Sequence, residues 1–315
     1  MKIVFMGTPD FAVSSLDAIL QAGYEVAAVV TVPDRPAGRG QKMSISAVKA
    51  YAQQHNLPVL QPEKLRDTDF QNTLLQIDAD LFVVVAFRML PQSVWSMPKI
   101  GTFNLHASLL PQYRGAAPIN WAIINGEKVS GVSTFFLNEH IDEGAILLQK
   151  STPISNDDTA ETLHDRLALL GKDLVIETIQ GLEKGTLIPS PQTIEKETIL
   201  KPAPKIFKSD CAINWNWNGD RIYNFVRGLS PYPAATMQMT TQTGDPLFFK
   251  VYEVAFEQAA GSTIGKVYSD GKNYLKIGIA DGYIHILSLQ ASGKKRNDIT
   301  NFLRGFNVNN YMSVI

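Results

Sequence analysis

Leu81-Phe82-Val83-Val84-Val85-Ala86 is the stretch whose reading decides the fold. It presents no polar face. A strand with one wet side alternates apolar with polar, whereas a strand covered on both sides reads as a continuous apolar, β-branched run. This run is therefore the centre of a parallel sheet. Working outward, similar runs recur. Lys2–Met6 (KIVFM) and Tyr24–Thr31 (YEVAAVVT) read as strands on its N-terminal side, with a helical period between them through Val13, Leu16, Ile19 and Leu20. Ser46–His55 and Phe70–Gln76 read as helices around a short strand at Val59–Leu60. Downstream, Thr102–His106 and Val132–Leu137 read as strands and Thr159–Leu182 as a long amphipathic helix. Strands alternating with helices predict an open, mostly parallel α/β sheet over residues 1–188.

The character then changes. Pro189, Pro191, Pro202 and Pro204 interrupt residues 189–205, which read as a linker. Beyond it, Phe248–Val254, Gly261–Ser269, Tyr274–Ala280 and Tyr283–Gln290 alternate with turn residues. They predict a small β-barrel over residues 206–315, preceded by a helix at Asp220–Leu229. Trp215 and Trp217 alternate in INWNWN and read as barrel or interface packing rather than stacking platforms.

The bulk numbers agree with two globular domains: 315 residues, 45% hydrophobic and 19% charged. No apolar run reaches the ~20 residues that cross a bilayer. The opening residues lack a signal-peptide pattern, and a single cysteine, Cys211, rules out an internal disulfide. A cytoplasmic monomer is expected. The net charge of −1 hides an asymmetry. Residues 1–204 carry 17 basic and 22 acidic side chains, and residues 205–315 carry 12 and 8. A basic back half suits a polyanionic partner.

The densest polar cluster is Asn104-Leu105-His106-Ala107-Ser108-Leu109-Leu110-Pro111, at the end of a strand. Alternation puts Asn104 and His106 on one side of that strand. Ligands bind at the carboxyl ends of strands in open α/β sheets, where a carboxamide and an imidazole can donate to a developing oxyanion. Asp142, in Ile141-Asp142-Glu143-Gly144, reads either as a proton-relaying acid or as a solvated turn; Glu143 is expected to face water. Thr31–Met43 (TVPDRPAGRGQKM) reads as a mobile basic loop, with Arg35, Arg39 and Lys42, and Lys49 just beyond. Gly7-Thr8-Pro9-Asp10 lacks the GxGxxG of a dinucleotide site, and no GxxxxGK[ST] occurs. His55, His164 and His285 have no metal-ligand spacing, so no metal is expected.

NLHASLLPQYRGAAPINWAIINGE (Asn104–Glu127), together with GTPDFA (Gly7–Ala12), resembles the signature of the 10-formyltetrahydrofolate-dependent formyltransferases. PDRPAGRG (Pro33–Gly40) is similar to the loop that sets the methionyl-tRNA branch of that family apart from relatives acting on small amines. The resemblance is dense over residues 1 to about 185 and continues more thinly to the end. It implies a Rossmann-like catalytic domain over 1–188 and an OB-like, tRNA-binding domain over 206–315. It further implies 10-formyltetrahydrofolate as formyl donor and initiator methionyl-tRNA as acceptor, with Asn104, His106 and Asp142 as the catalytic residues. Ser108, Leu109, Leu110 and Pro111, with Phe87, Arg88 and Met89, would line the folate site. Arg39, Lys42, Lys294, Lys295 and Arg296 would grip the tRNA. In one place the chain departs from the family. Phe87-Arg88-Met89-Leu90-Pro91 lacks the usual Tyr-Gly turn and is one residue shorter.

Overall fold

The computed structural model describes every residue except 38–41, 195–197, 242–245, 309–310 and 315. Its contacts divide the chain into two compact units. The first comprises Met1–Ala116, Val129–Thr152 and His164–Ala203; the second comprises Ala117–Lys128, Pro153–Leu163 and Pro204–Ile315.

The elements, in chain order, are β1 (Lys2–Gly7), α1 (Asp10–Gln21), β2 (Glu25–Val30), β3 (Arg35–Ala37), β4 (Lys42–Ser44), α2 (Ala47–Gln54), β5 (Val59–Leu60), α3 (Thr68–Ile77), β6 (Leu81–Val85), α4 (Gln92–Trp95), β7 (Gly101–His106), α5 (Pro118–Ile124), β8 (Val129–Phe136), β9 (Ile146–Pro153) and α6 (Ala160–Glu183). Two of the helices start at side-chain caps. The Ser46 side chain accepts from the Lys49 N–H at the head of α2, and the Asp67 side chain accepts from the Phe70 N–H at the head of α3.

The main sheet runs β5-β2-β1-β6-β7-β8-β9. β5, β2, β1, β6 and β7 pair in parallel, and β8 is antiparallel to β7. The carboxyl ends of the parallel strands therefore share one edge. The order reverses between β1 and β6, the switch point where Rossmann-like sheets bind ligands. One sheet face, with Val4, Met6, Ala28, Val30, Phe82 and Val84, packs on Phe70, Leu74 and Val94. The β6–β7 register sets Val84 opposite Asn104, so Asn104 and His106 share that face. Leu105 points the other way, against α6. A Cβ at Gly171 would come within 2.7 Å of its Cδ2.

The segment read as a mobile basic loop contains a two-stranded ladder, with Arg35 opposite Ser44 and Ala37 opposite Lys42. Pro36 is tolerated because a two-stranded ribbon consists of edges. Lys49 is tied to Asp34, and that bond, with a second from Gln61, holds the Asp34 carboxyl below its usual range.

The second unit contains α7 (Gly219–Leu229), β10 (Ala235–Thr241), β11 (Pro246–Gln258), β12 (Val267–Ser269), β13 (Leu275–Ile279), β14 (Gly282–Ala291), β15 (Asn297–Asp298), α8 (Ile299–Leu303) and β16 (Tyr311–Val314). The sheet runs β12-β13-β14-β11-β10-β16, and a Lys266–Ser313 bridge joins its ends into a nearly closed antiparallel barrel. Trp215 is buried in its core, and Trp217 packs at the margin. Gly261–Ser269 yields a strand only at Val267–Ser269, because Gly261 and Gly265 sit at positive φ and turn the chain.

Candidate active site

The end of β7 brings Asn104 and His106 to the binding edge of the first unit. The Asn104 side chain is half-buried and makes no hydrogen bond among the described residues. His106 is buried, and its Nε2 lies 2.8 Å from the Tyr113 carbonyl oxygen. A carbonyl can only accept, so Nε2 is the nitrogen that carries hydrogen and donates. The other ring nitrogen, Nδ1, faces Asp142, 3.8 Å from its Oδ2. That spacing exceeds a direct hydrogen bond but leaves the carboxylate beside the ring. The same Oδ2 accepts from the Gly115 N–H at 2.9 Å. Asn104, His106 and Asp142 thus lie together, and two groups absent from the sequence reading, the Tyr113 carbonyl and the Gly115 amide, fix the ring and the carboxylate.

The loop bearing those two groups is tied down by residues read as linker. Tyr113 N–H donates to the Lys201 carbonyl at 2.8 Å, and Ala203 N–H donates to the Arg114 carbonyl at 2.9 Å. A Cβ at Gly115 would fall 2.5 Å from the Ala203 oxygen, so this approach needs glycine. Glu143 is exposed, as expected, and also receives Arg114 Nη1 at 2.7 Å.

At the switch point, the chain leaves β6 with Ala86 at φ +48. Beyond it, the backbone N–H and C=O groups of Phe87, Arg88 and Met89 make no hydrogen bonds among the described residues. A row of peptide groups without protein partners at a strand end is open to water or to a hydrogen-bonding ligand. Arg88 itself is committed to the fold. Its guanidinium donates to the Pro62 and Glu63 carbonyls at 2.8 and 3.1 Å, and burial pulls its pKa down. Met89 is 68% exposed.

Ser108–Pro111 is a packed wall rather than a free surface. Ser108 Oγ donates to the Gln112 carbonyl at 2.7 Å, the Ser108 carbonyl accepts from Ser133 Oγ, and the Leu110 carbonyl accepts from Gln149. Leu109 packs under Gly131, where a Cβ would come within 2.5 Å of it.

Of the expected tRNA contacts, Arg39 lies outside the described residues, and Lys42 pairs with Ala37 through the backbone of β4. Lys294, Lys295 and Arg296 occupy an exposed turn between β14 and β15 of the second unit. Arg296 Nε donates to Ser288 Oγ at 2.8 Å and its guanidinium lies over Tyr252. Lys294 and Lys295 have no acidic partner among the described residues. Within the same set, no three His, Cys, Asp or Glu side chains cluster as metal ligands, and no helix is long and apolar enough to cross a membrane.

The formyl transferase family model matches residues 1–179, and the model of the formyl transferase C-terminal domain matches residues 205–307. The chain belongs to the formyl transferase family. Among its relatives is the methionyl-tRNA formyltransferase of Bacteroides fragilis, 50% identical over 312 residues, covering 98% of this chain and 96% of the relative. The methionyl-tRNA formyltransferase of Parabacteroides distasonis is 51% identical over 310 residues, covering 97% and 96%. A solved N-formyltransferase from Helicobacter canadensis shares the fold, with TM-score 0.65 and 23% identity over 92% of this chain and 99% of that one.

Proposed function

We propose that the chain transfers a formyl group from 10-formyltetrahydrofolate to the α-amine of methionine on initiator tRNA, in the cytoplasm. The observation that carries the reading is the trio at and beside the end of β7: a carboxamide without a partner among the described residues, an imidazole anchored at Nε2, and a carboxylate facing Nδ1.

Transfer is direct. An α-amine with pKa ~7.7–8.0 keeps a useful neutral fraction near neutrality and attacks the formyl carbon. As the C–N bond forms, the carbonyl electron pair moves to oxygen, and the Asn104 amide donates to that oxyanion. Asp142 takes the amine proton through water and returns it by way of His106. The working nitrogen of His106 is Nδ1, because Nε2 is held by Tyr113. From Nδ1 the proton passes to the departing folate nitrogen, which leaves with the electrons of the broken C–N bond. The free peptide groups of Phe87, Arg88 and Met89 receive the folate's ring edge, and Ser108–Pro111 braces the opposite wall. The exposed lysines of the second unit, with Arg39 and Lys42, hold the acceptor RNA.

The test is transfer of labelled formyl to methionyl initiator tRNA by the wild type and by Asn104→Ala, His106→Ala and Asp142→Ala. Removing one oxyanion donor costs ~10²–10³-fold in turnover, the loss expected for Asn104→Ala, with the other two at least as severe. Near-normal turnover in all three would sink the site. Transfer to a nucleotide-linked amino sugar instead of the tRNA would change the acceptor but keep the chemistry.

A further inference from the structure

Gln192 lies in the proline-rich stretch read as linker, yet both ends of its side chain are occupied. Its Nε2 donates to the carbonyl of Asp142 at 2.8 Å and to that of Gly144 at 2.9 Å. Its Oε1 accepts from Arg114 Nη2 at 2.7 Å and from Nε at 3.1 Å. The residue after Arg114, Gly115, donates to the Asp142 carboxylate. Asp142 is therefore held twice, by its carbonyl through Gln192 and by its carboxylate through Gly115, and Arg114 closes the ring of bonds. Asp142 also sits at φ +55, in the left-handed region that aspartate adopts more readily than most residues. A carboxamide suits this place because it donates from one end and accepts at the other. A carboxylate would keep the Arg114 pair but turn oxygen toward two carbonyls.

We propose that Gln192 is a positioning residue that sets the Asp142 carboxylate against His106 Nδ1 and thereby governs turnover rather than substrate binding. The proposal rests on the role given above to Asp142.

The experiment uses the full chain and steady-state formyl transfer, with Gln192→Ala, Gln192→Glu, Asp142→Asn and each Gln192 change combined with Asp142→Asn. Misplacing a catalytic group by ~1 Å costs on the order of 10²-fold, so kcat of both Gln192 variants should fall about 10–100-fold. KM for folate and for tRNA should stay unchanged. In the Asp142→Asn background, neither Gln192 change should lower kcat further, because residues acting as one unit are not additive. Fully additive losses, a loss confined to KM, or wild-type kcat in Gln192→Glu overturns the proposal. An active Asp142→Asn removes the role of Asp142 itself, and the proposal with it. An impaired Asp142→Asn beside an unimpaired Gln192→Glu removes only the positioning. Gln192→Glu is nearly isosteric and carries the test if Gln192→Ala does not fold.

Discussion

Replacing Gly144 with alanine should disable the enzyme from a residue that has no side chain. A Cβ there would stand 1.6 Å from the Phe136 carbonyl oxygen and 2.8 Å from its carbon, whereas ordinary contact begins at 3.4 Å. Phe136 belongs to β8, which is paired with β7 on one side and β9 on the other, so its backbone cannot withdraw. The relief, about 2 Å against that 3.4 Å contact distance, must come from the Asp142–Gly144 loop. The bond from Gly115 N–H to Asp142, now 2.9 Å, does not survive such a shift, and the 3.8 Å approach of the carboxylate to His106 goes with it. Turnover should fall by ~10²-fold or more. Overpacking should also lower stability by about 1–3 kcal/mol. Formyl transfer at saturating folate and methionyl-tRNA reads the first effect, and urea unfolding the second. Gly305→Ala is the control, because a Cβ there meets nothing within 4 Å. Wild-type kcat in Gly144→Ala would refute the claim that this loop fixes Asp142.

Other outcomes follow from the second unit. Lys294→Ala and Lys295→Ala should each weaken binding to all tRNAs alike and flatten the plot of log affinity against log salt by ~1; an unchanged slope moves the phosphate contacts elsewhere. Cys211 is 2% exposed, and burial pushes its thiol up. It should resist alkylation in the native chain and react in denaturant; equal rates would mean that this core opens readily. Backbone N–H groups of Asn273 and Lys272 hold the Asp270 carboxyl well below the usual range. Its stabilising contribution is present above the ordinary carboxylate pKa of ~3.9 and is lost as pH falls below it toward the depressed folded value. The unfolding midpoint should therefore drop in acid, less steeply in Asp270→Asn, and equal slopes would remove this carboxylate from the account.

What the sequence disclosed follows from how each signal is written. The central strands were legible because burial on both faces demands unbroken apolar runs, as in Leu81–Val85. β9 was not, since half of ILLQKSTP is polar, as befits a sheet edge. β10 buries Ala235, Met237 and Met239 in strict alternation, but these residues carry little strand preference and the pattern passed unread. At the site, period two sufficed to put Asn104 and His106 on one side. Asp142 was separable from a solvated turn only through the family resemblance. The Tyr113 carbonyl and the Gly115 amide are backbone groups, which every residue has, and no sequence marks their aim. Gln192 acts on a loop 50 residues away. Lys49, read beside the basic charges of the 31–43 loop, is matched by Asp34 of that loop, a pairing that spacing alone does not reveal.

The second unit is gathered from three separate stretches of chain, and this has a consequence during synthesis. Asn120 Nδ2 donates to the Gly228 carbonyl at 2.7 Å across a sequence separation of 108 residues, and Arg227 reaches back 69 to the Asp158 carbonyl. A ribosome adding ~5–20 residues per second leaves α5 waiting roughly 5–20 s for its partner to emerge. Through that interval Ile124 lacks the core it packs against in the finished fold. Nor can the barrel be lost or transplanted as a cassette, because cutting the chain after residue 205 strands two earlier segments that pack with it.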